Sequence, residues 1–185
     1  MPLRWIIGPL LAAWAVSASA QTIGVELSDT TALFRYGQMV GGGDLGRSQL
    51  TGGFLYNTDK NLLGELGLQV VDEAGTKAPG LTAGVGGKIL VGRVDSPNRE
   101  VAALGLGGQL RWLIPQLQRV AFGVEGNYAF DIVTFGDFSS FWELAGRIEY
   151  EILPTAAAYV GYRRFAGDAE NGGTVELDEG VRLGL

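Results

Sequence analysis

Apolar and polar positions alternate along most of this chain, with a period of two rather than 3.6. In residues 140–153, Trp142, Leu144, Gly146, Ile148, Tyr150 and Ile152 fall on one face. Glu143, Ala145, Arg147, Glu149 and Glu151 fall on the other. A helix would scatter these residues around its cylinder; a strand, whose side chains alternate, separates them. The same split recurs in 61–72, 81–91, 102–112, 119–131 and 174–185. In the last of these, Val175, Leu177, Val181, Leu183 and Leu185 oppose Glu176, Asp178, Gly180 and Arg182. Weaker alternation in 22–28, 31–37, 48–57 and 155–165 brings the count to about ten strands. Eight remain if the two short N-terminal strands lie outside the wall.

The connectors come in two kinds. Short links carry Pro79, Pro115 and Pro154. Longer, polar or mixed links fall at 57–60, 93–100, 131–140 and 166–173, and a tight turn at 28–31. Such an alternation predicts hairpins with short turns at one end of a barrel and longer loops at the other. Both termini then lie at the short-turn end. Residues 40–47 are the exception, expected as a long link at that same end. The expected fold is all-β: a transmembrane antiparallel up-and-down β-barrel.

Periodicity alone does not say which face points inward. A soluble barrel buries its apolar face, and a membrane barrel turns that face to lipid. Three features favour the membrane orientation. The polar face is rich in small residues, including Gly53, Gly67, Gly84, Gly105, Gly123 and Gly161, which suit a crowded lumen. It also carries both signs of charge, which a lumen can pair. The candidate lumen network comprises Arg35, Lys88, Arg111, Arg147, Arg163 and Arg182 with Glu65, Glu125, Glu143 and Glu149; Glu26 and Glu176 share that face. Aromatics, finally, are expected near the ends of the apolar face. Tyr36, Trp112 and Tyr150 would mark the inner rim, and Tyr56, Tyr128, Phe130, Trp142 and Tyr162 the outer one. Two such girdles match bilayer interfaces.

The N-terminus changes the compartment. Arg4, an apolar run over 5–16 and Ala18-Ser19-Ala20 make a secretory signal pattern. The expected organisation is a cleaved signal peptide at 1–20 and an outer-membrane barrel at 21–185. No later apolar run is long enough for a helical span. The net charge of −6 offers no basic stripe for nucleic acid.

Catalytic chemistry finds little support. The chain has no Cys and no His, so Cys nucleophiles, thiolate metal sites and histidine bases are excluded. Ser139 and Ser140 read as turn and cap residues without a base. Glu149 and Glu151, with Glu143, form an acidic group of the kind glycosidases and metal sites use. Lumen electrostatics, with Arg147 and Arg163 as partners, is the alternative preferred here. The stretch Gly167-Asp168-Ala169-Glu170-Asn171-Gly172-Gly173 fails the EF-hand spacing, and Gly41-Gly42-Gly43 lacks the Lys of a phosphate loop. No cofactor, metal or catalytic residue is expected.

Several stretches, taken in order, resemble a known family. They are Ala83-Gly84-Val85-Gly86-Gly87-Lys88, Leu106-Gly107-Gly108-Gln109-Leu110-Arg111-Trp112 and Phe122-Gly123-Val124-Glu125-Gly126-Asn127-Tyr128. Glu143-Leu144-Ala145-Gly146-Arg147 and Tyr159-Val160-Gly161-Tyr162-Arg163 follow. This order is similar to that of the YfaZ-like outer-membrane proteins of Gram-negative bacteria. The resemblance implies an outer-membrane barrel and brings no activity with it. Barrels of this kind usually end in an aromatic residue that assists assembly; position 185 is Leu.

The expected function is therefore a non-enzymatic integral outer-membrane barrel, structural or a narrow small-solute conduit. Outer-membrane lipid and the barrel-assembly machinery are its expected partners, with no nucleic acid, and any small ligand is left open. The alternative is a soluble periplasmic, lipocalin-like barrel around an apolar ligand. Adhesion through the loops is a third reading.

Overall fold

The computed structural model describes residues 21–43, 46–76, 78–95, 98–170 and 172–185. The expected signal peptide lies outside the described residues. Eleven strands follow in chain order: β1 (Gln21–Leu27), β2 (Thr31–Gly43), β3 (Gly46–Asn57), β4 (Leu62–Glu73), β5 (Leu81–Asp95), β6 (Asn98–Leu113), β7 (Val120–Ala129), β8 (Thr134–Gly136), β9 (Phe138–Leu153), β10 (Ala156–Ala169) and β11 (Thr174–Gly184). Apart from the short β8, each pairs antiparallel with its sequence neighbour, β7 pairing with β9. β11 returns to β1, with Glu26 opposite Gly184 and Leu27 opposite Leu183, and closes a ten-stranded up-and-down barrel. Followed once around, the ladder returns displaced along β11 by about a dozen residues, the stagger that tilts strands in a closed barrel.

Several expected loops prove to be ladder. Positions 41–43 pair with 46–48, so the expected inner link is the continuation of β2 and β3. Positions 93–95 pair with 98–100 in the same way, and β10 runs on to Ala169. Polarity marks where the greasy face stops, but backbone pairing continues past it. Within 131–140 the chain makes one 3₁₀ turn, Asp131–Val133, and then β8. β8 pairs with Val101–Ala103 on β6, beyond the end of β7, and so covers an edge that would otherwise be open.

The apolar face points outward all round the wall. Val85 is 69 % exposed and Leu183 66 %, and Ile23, Leu68, Leu106, Val124 and Ile148 are exposed with them. Val25 and Val160 continue the surface on β1 and β10. Trp112 and Tyr150 lie near the short-turn ends of their strands, and Tyr56 and Tyr128 near the loop ends. Tyr36 and Tyr162 sit at mid-strand, not at the rims expected for them. Their strands extend well beyond the segments that alternation alone marks out.

The loop-side end of the interior holds a second, smaller apolar layer. Leu33, Leu55, Leu63, Leu90, Val94, Val101, Phe138, Phe141, Phe165 and Leu177 are buried together there. The ring of Phe141 packs 4.8 Å from that of Phe138 and 6.2 Å from that of Phe165, centroid to centroid. Leu177 and Val175 correct the expected register of the last strand. Phe165 pairs with Asp178 but Ala166 with Glu176, so Leu177 is the extra residue of a β-bulge. The bulge turns Leu177 and Val175 toward the core, and leaves Glu176 outside, where it bonds Arg164 at 2.7 Å.

Candidate functional site: the lumen charge network

One inward position below the apolar layer, the lumen turns ionic. Arg35, Glu65, Lys88, Asn127, Glu143 and Arg163 stand there on β2, β4, β5, β7, β9 and β10. Arg35 reaches four carboxylates: Glu26 and Glu65 at 3.3 Å, Glu125 at 3.5 Å and Glu143 at 3.7 Å. Lys88 lies 3.2 Å from Glu65 and 3.8 Å from Glu125, and also pairs with Glu143. Arg163 lies 2.6 Å from Glu143 and 3.6 Å from Asp178. Arg182 pairs with Asp178 and lies 3.6 Å from Glu26.

Glu143 is the hub of this group. It faces three cations and accepts from Asn127 Nδ2 at 3.2 Å. Isolated buried charges of this number would be ruinous, because each loses its hydration. Interleaving opposite charges from eight strands offsets that loss and ties remote strands together.

Toward the short-turn end lies a second, smaller group. Arg111 Nε and Arg147 Nε each donate at 2.7 Å to a different oxygen of Glu149. Gln109 Nε2 donates to Gln49 Oε1 at 3.3 Å nearby. All ten residues of the expected network thus face the lumen, in two clusters. Of the acidic group Glu143, Glu149 and Glu151, Glu143 pairs with Arg163 and Glu149 with Arg147, while Glu151 makes no ion pair among the described residues.

The inward glycines explain how long side chains fit. Gly53 pairs with Glu65, and a Cβ on Gly53 would lie 2.7 Å from Glu65 Cγ. Arg147 is flanked in the ladder by Gly123 and Gly161, where added Cβ atoms would come 3.1 and 3.0 Å from it. Gly184 likewise yields its space to the Tyr159 ring. These large polar side chains take the room their glycine neighbours leave, so the pattern is steric as well as electrostatic.

Glu26 and Asp178, which alternation also puts on the polar face, join the network. Asp178 follows the bulge, and its buried bond from Thr31 Oγ1, at 2.8 Å, joins residues far apart in sequence. Glu176, placed inside by alternation, is outside for the same reason. Ser139 and Ser140 lie in β9 rather than in a turn, because the ladder with β10 runs past the apolar segment. Ser139 Oγ donates to Asp168 O at 3.2 Å, and Ser140 Oγ and Thr174 Oγ1 donate to the Asp168 carboxylate at 2.9 and 2.8 Å. Among the described residues, no group of three or more acidic side chains is placed to hold a metal ion. A cavity of about 30 Å³ lies between Lys88, Leu90, Tyr128, Phe141, Glu143 and Phe165. That is room on the scale of one water molecule.

Comparison with curated proteins finds no match. Comparison with protein families finds one described as YfaZ precursor, which matches residues 5–185. The match takes in nearly the whole chain, every strand of the barrel and both charge clusters, and the chain belongs to the YfaZ family.

Proposed function

We propose that this protein is an integral outer-membrane barrel, non-enzymatic, exported by a signal cleaved after Ala20. Its role is that of a closed wall element rather than a wide pore. The observation that carries the reading is the continuous outward apolar surface around all ten wall strands. Water has no use for such a surface, and lipid requires it. Closed strand pairing supports the same reading, since a bilayer offers no partner for an open edge. The family's description as a precursor supports export. Outer-membrane lipid covers the wall in this account, and the barrel-assembly machinery inserts it. The lipocalin-like alternative needs an apolar lumen large enough for a ligand, and the apolar layer here is packed with its own side chains.

Two layers oppose a through-path. Phenylalanines and leucines fill the loop-side end, and the ion-paired group crosses the lumen beneath them. Barrels of about eight strands are filled by side chains, and ten lies close to that limit. Purified, folded protein in planar bilayers is expected to give no steady conductance. Steady single-channel steps from the folded form would replace the closed wall with a conduit.

A further inference from the structure

The two charge clusters differ in access. In the larger cluster Arg163 and Arg182 are 3 % and 2 % exposed in their side chains and Arg35 24 %, and in the smaller one Arg147 is 27 % and Arg111 43 %. The second pair lies toward the short-turn end, away from the buried apolar cluster of the loop side. Its charge is also incompletely matched. Glu149 spends both oxygens on two guanidinium groups, and the hydrogen bonds of both arginines to described residues run through Nε alone. Their Nη groups, the forked donors that suit a planar or tetrahedral oxyanion, have no such bond. Glu151, the next carboxylate along β9, makes no ion pair with either within 4 Å among the described residues.

The guanidinium of Arg147 is also held in place. Gly123 and Gly161 flank it across the ladder, and it stands 5.8 Å from the centroid of the Tyr159 ring. Arg111 is opposite Gly123 from the other side, so glycine separates the two arginines along one row. A fixed fork loses little freedom when an anion arrives.

We propose that Arg111 and Arg147 form a binding site for a small oxyanion, a phosphate or carboxylate group, entering the lumen from its short-turn end. The site is a blind vestibule, closed beyond by the ionic and apolar layers. It depends on the barrel's geometry alone and stands apart from the membrane reading.

The test is isothermal titration of the purified, folded protein at low ionic strength, with inorganic phosphate and separately with acetate. Saturable binding is expected, weakened about tenfold or more by Arg111→Gln and by Arg147→Gln. Arg147→Lys keeps the charge but loses the fork, and is expected to weaken binding as well. Glu149→Gln removes the competing carboxylate and is expected to strengthen it. Arg93→Gln, at the opposite end of the barrel, is the unchanged control. Saturation by phosphate alone assigns a phosphate ligand, and saturation by acetate a carboxylate or a broader oxyanion. Each variant is first shown to fold by a far-ultraviolet circular dichroism spectrum matching the wild type. No saturable binding by the folded wild type overturns the site. So does binding that both glutamine variants leave unchanged.

Discussion

At the scale of single residues, several long charged side chains of the lumen face a glycine on the next strand. Gly53 beside Glu65 and Gly161 beside Arg147 are two instances. Glu143 faces Asn127 and Phe165 instead and is the most consequential side chain, because removing it leaves Arg163 and Lys88 buried without their nearest carboxylate. Replacing Glu143 by Leu is expected to cost about 3–5 kcal/mol, the scale for breaking a buried pair from one side. Replacing Glu176 by Gln, in an exposed pair with Arg164, is expected to cost at most about 1 kcal/mol. Unfolding by urea in detergent–lipid micelles checks both; equal losses would mean the lumen network is not what holds the strands. Most of this network was legible in the sequence, since parity alone assigns Arg35, Lys88, Glu125 and Arg163 to one face. What parity misses is the bulge at Leu177. It moves Leu177 inward and Glu176 outward, and no local composition marks it. The inward leucines at 33, 55, 63 and 90 were hidden too, because an apolar residue on a polar face reads as an interruption rather than as a second core.

At the scale of elements, the strand pairs are unequal. β5 and β6 are paired along their whole length, from Leu81 with Trp112 to Asp95 with Asn98. The β1–β11 seam has only Glu26 with Gly184 and Leu27 with Leu183, plus backbone bonds of 3.0 and 3.1 Å between Val25 and Leu185. Past Leu27 the chain turns into β2, and side chains take over the closure. Asn57 Nδ2 donates to Leu177 O at 3.0 Å, Thr31 Oγ1 to Asp178 Oδ1 at 2.8 Å, and Arg182 reaches Glu26. Few backbone bonds at a seam mean a low local opening free energy. Hydrogen exchange is therefore expected to be fastest in β1 and slowest in β5 and β6, and Asp178→Ala is expected to accelerate the seam selectively. Uniform protection around the barrel would contradict this. The strands themselves were legible from period two, and their ends were not. At 41–43 with 46–48, and at 93–95 with 98–100, polar or glycine-rich residues pair as readily as apolar ones.

At the scale of the whole molecule, two kinds of apolar residue lead separate lives. The larger set lies outside, on a continuous wall, and the smaller set seals the loop-side end within. Between them, charged side chains from strands on opposite sides of the lumen pair with one another. The closed ten-stranded form is the one that the alternation predicts, and the outward apolar face accords with the small and charged residues of the inner face. Membrane residence is the central claim, and gel migration of boiled and unboiled samples after outer-membrane fractionation tests it most directly. The account predicts recovery in the detergent-extracted outer-membrane fraction, with the unboiled barrel migrating apart from the boiled chain. Recovery in the periplasmic wash without detergent, with identical migration of the two samples, would contradict it.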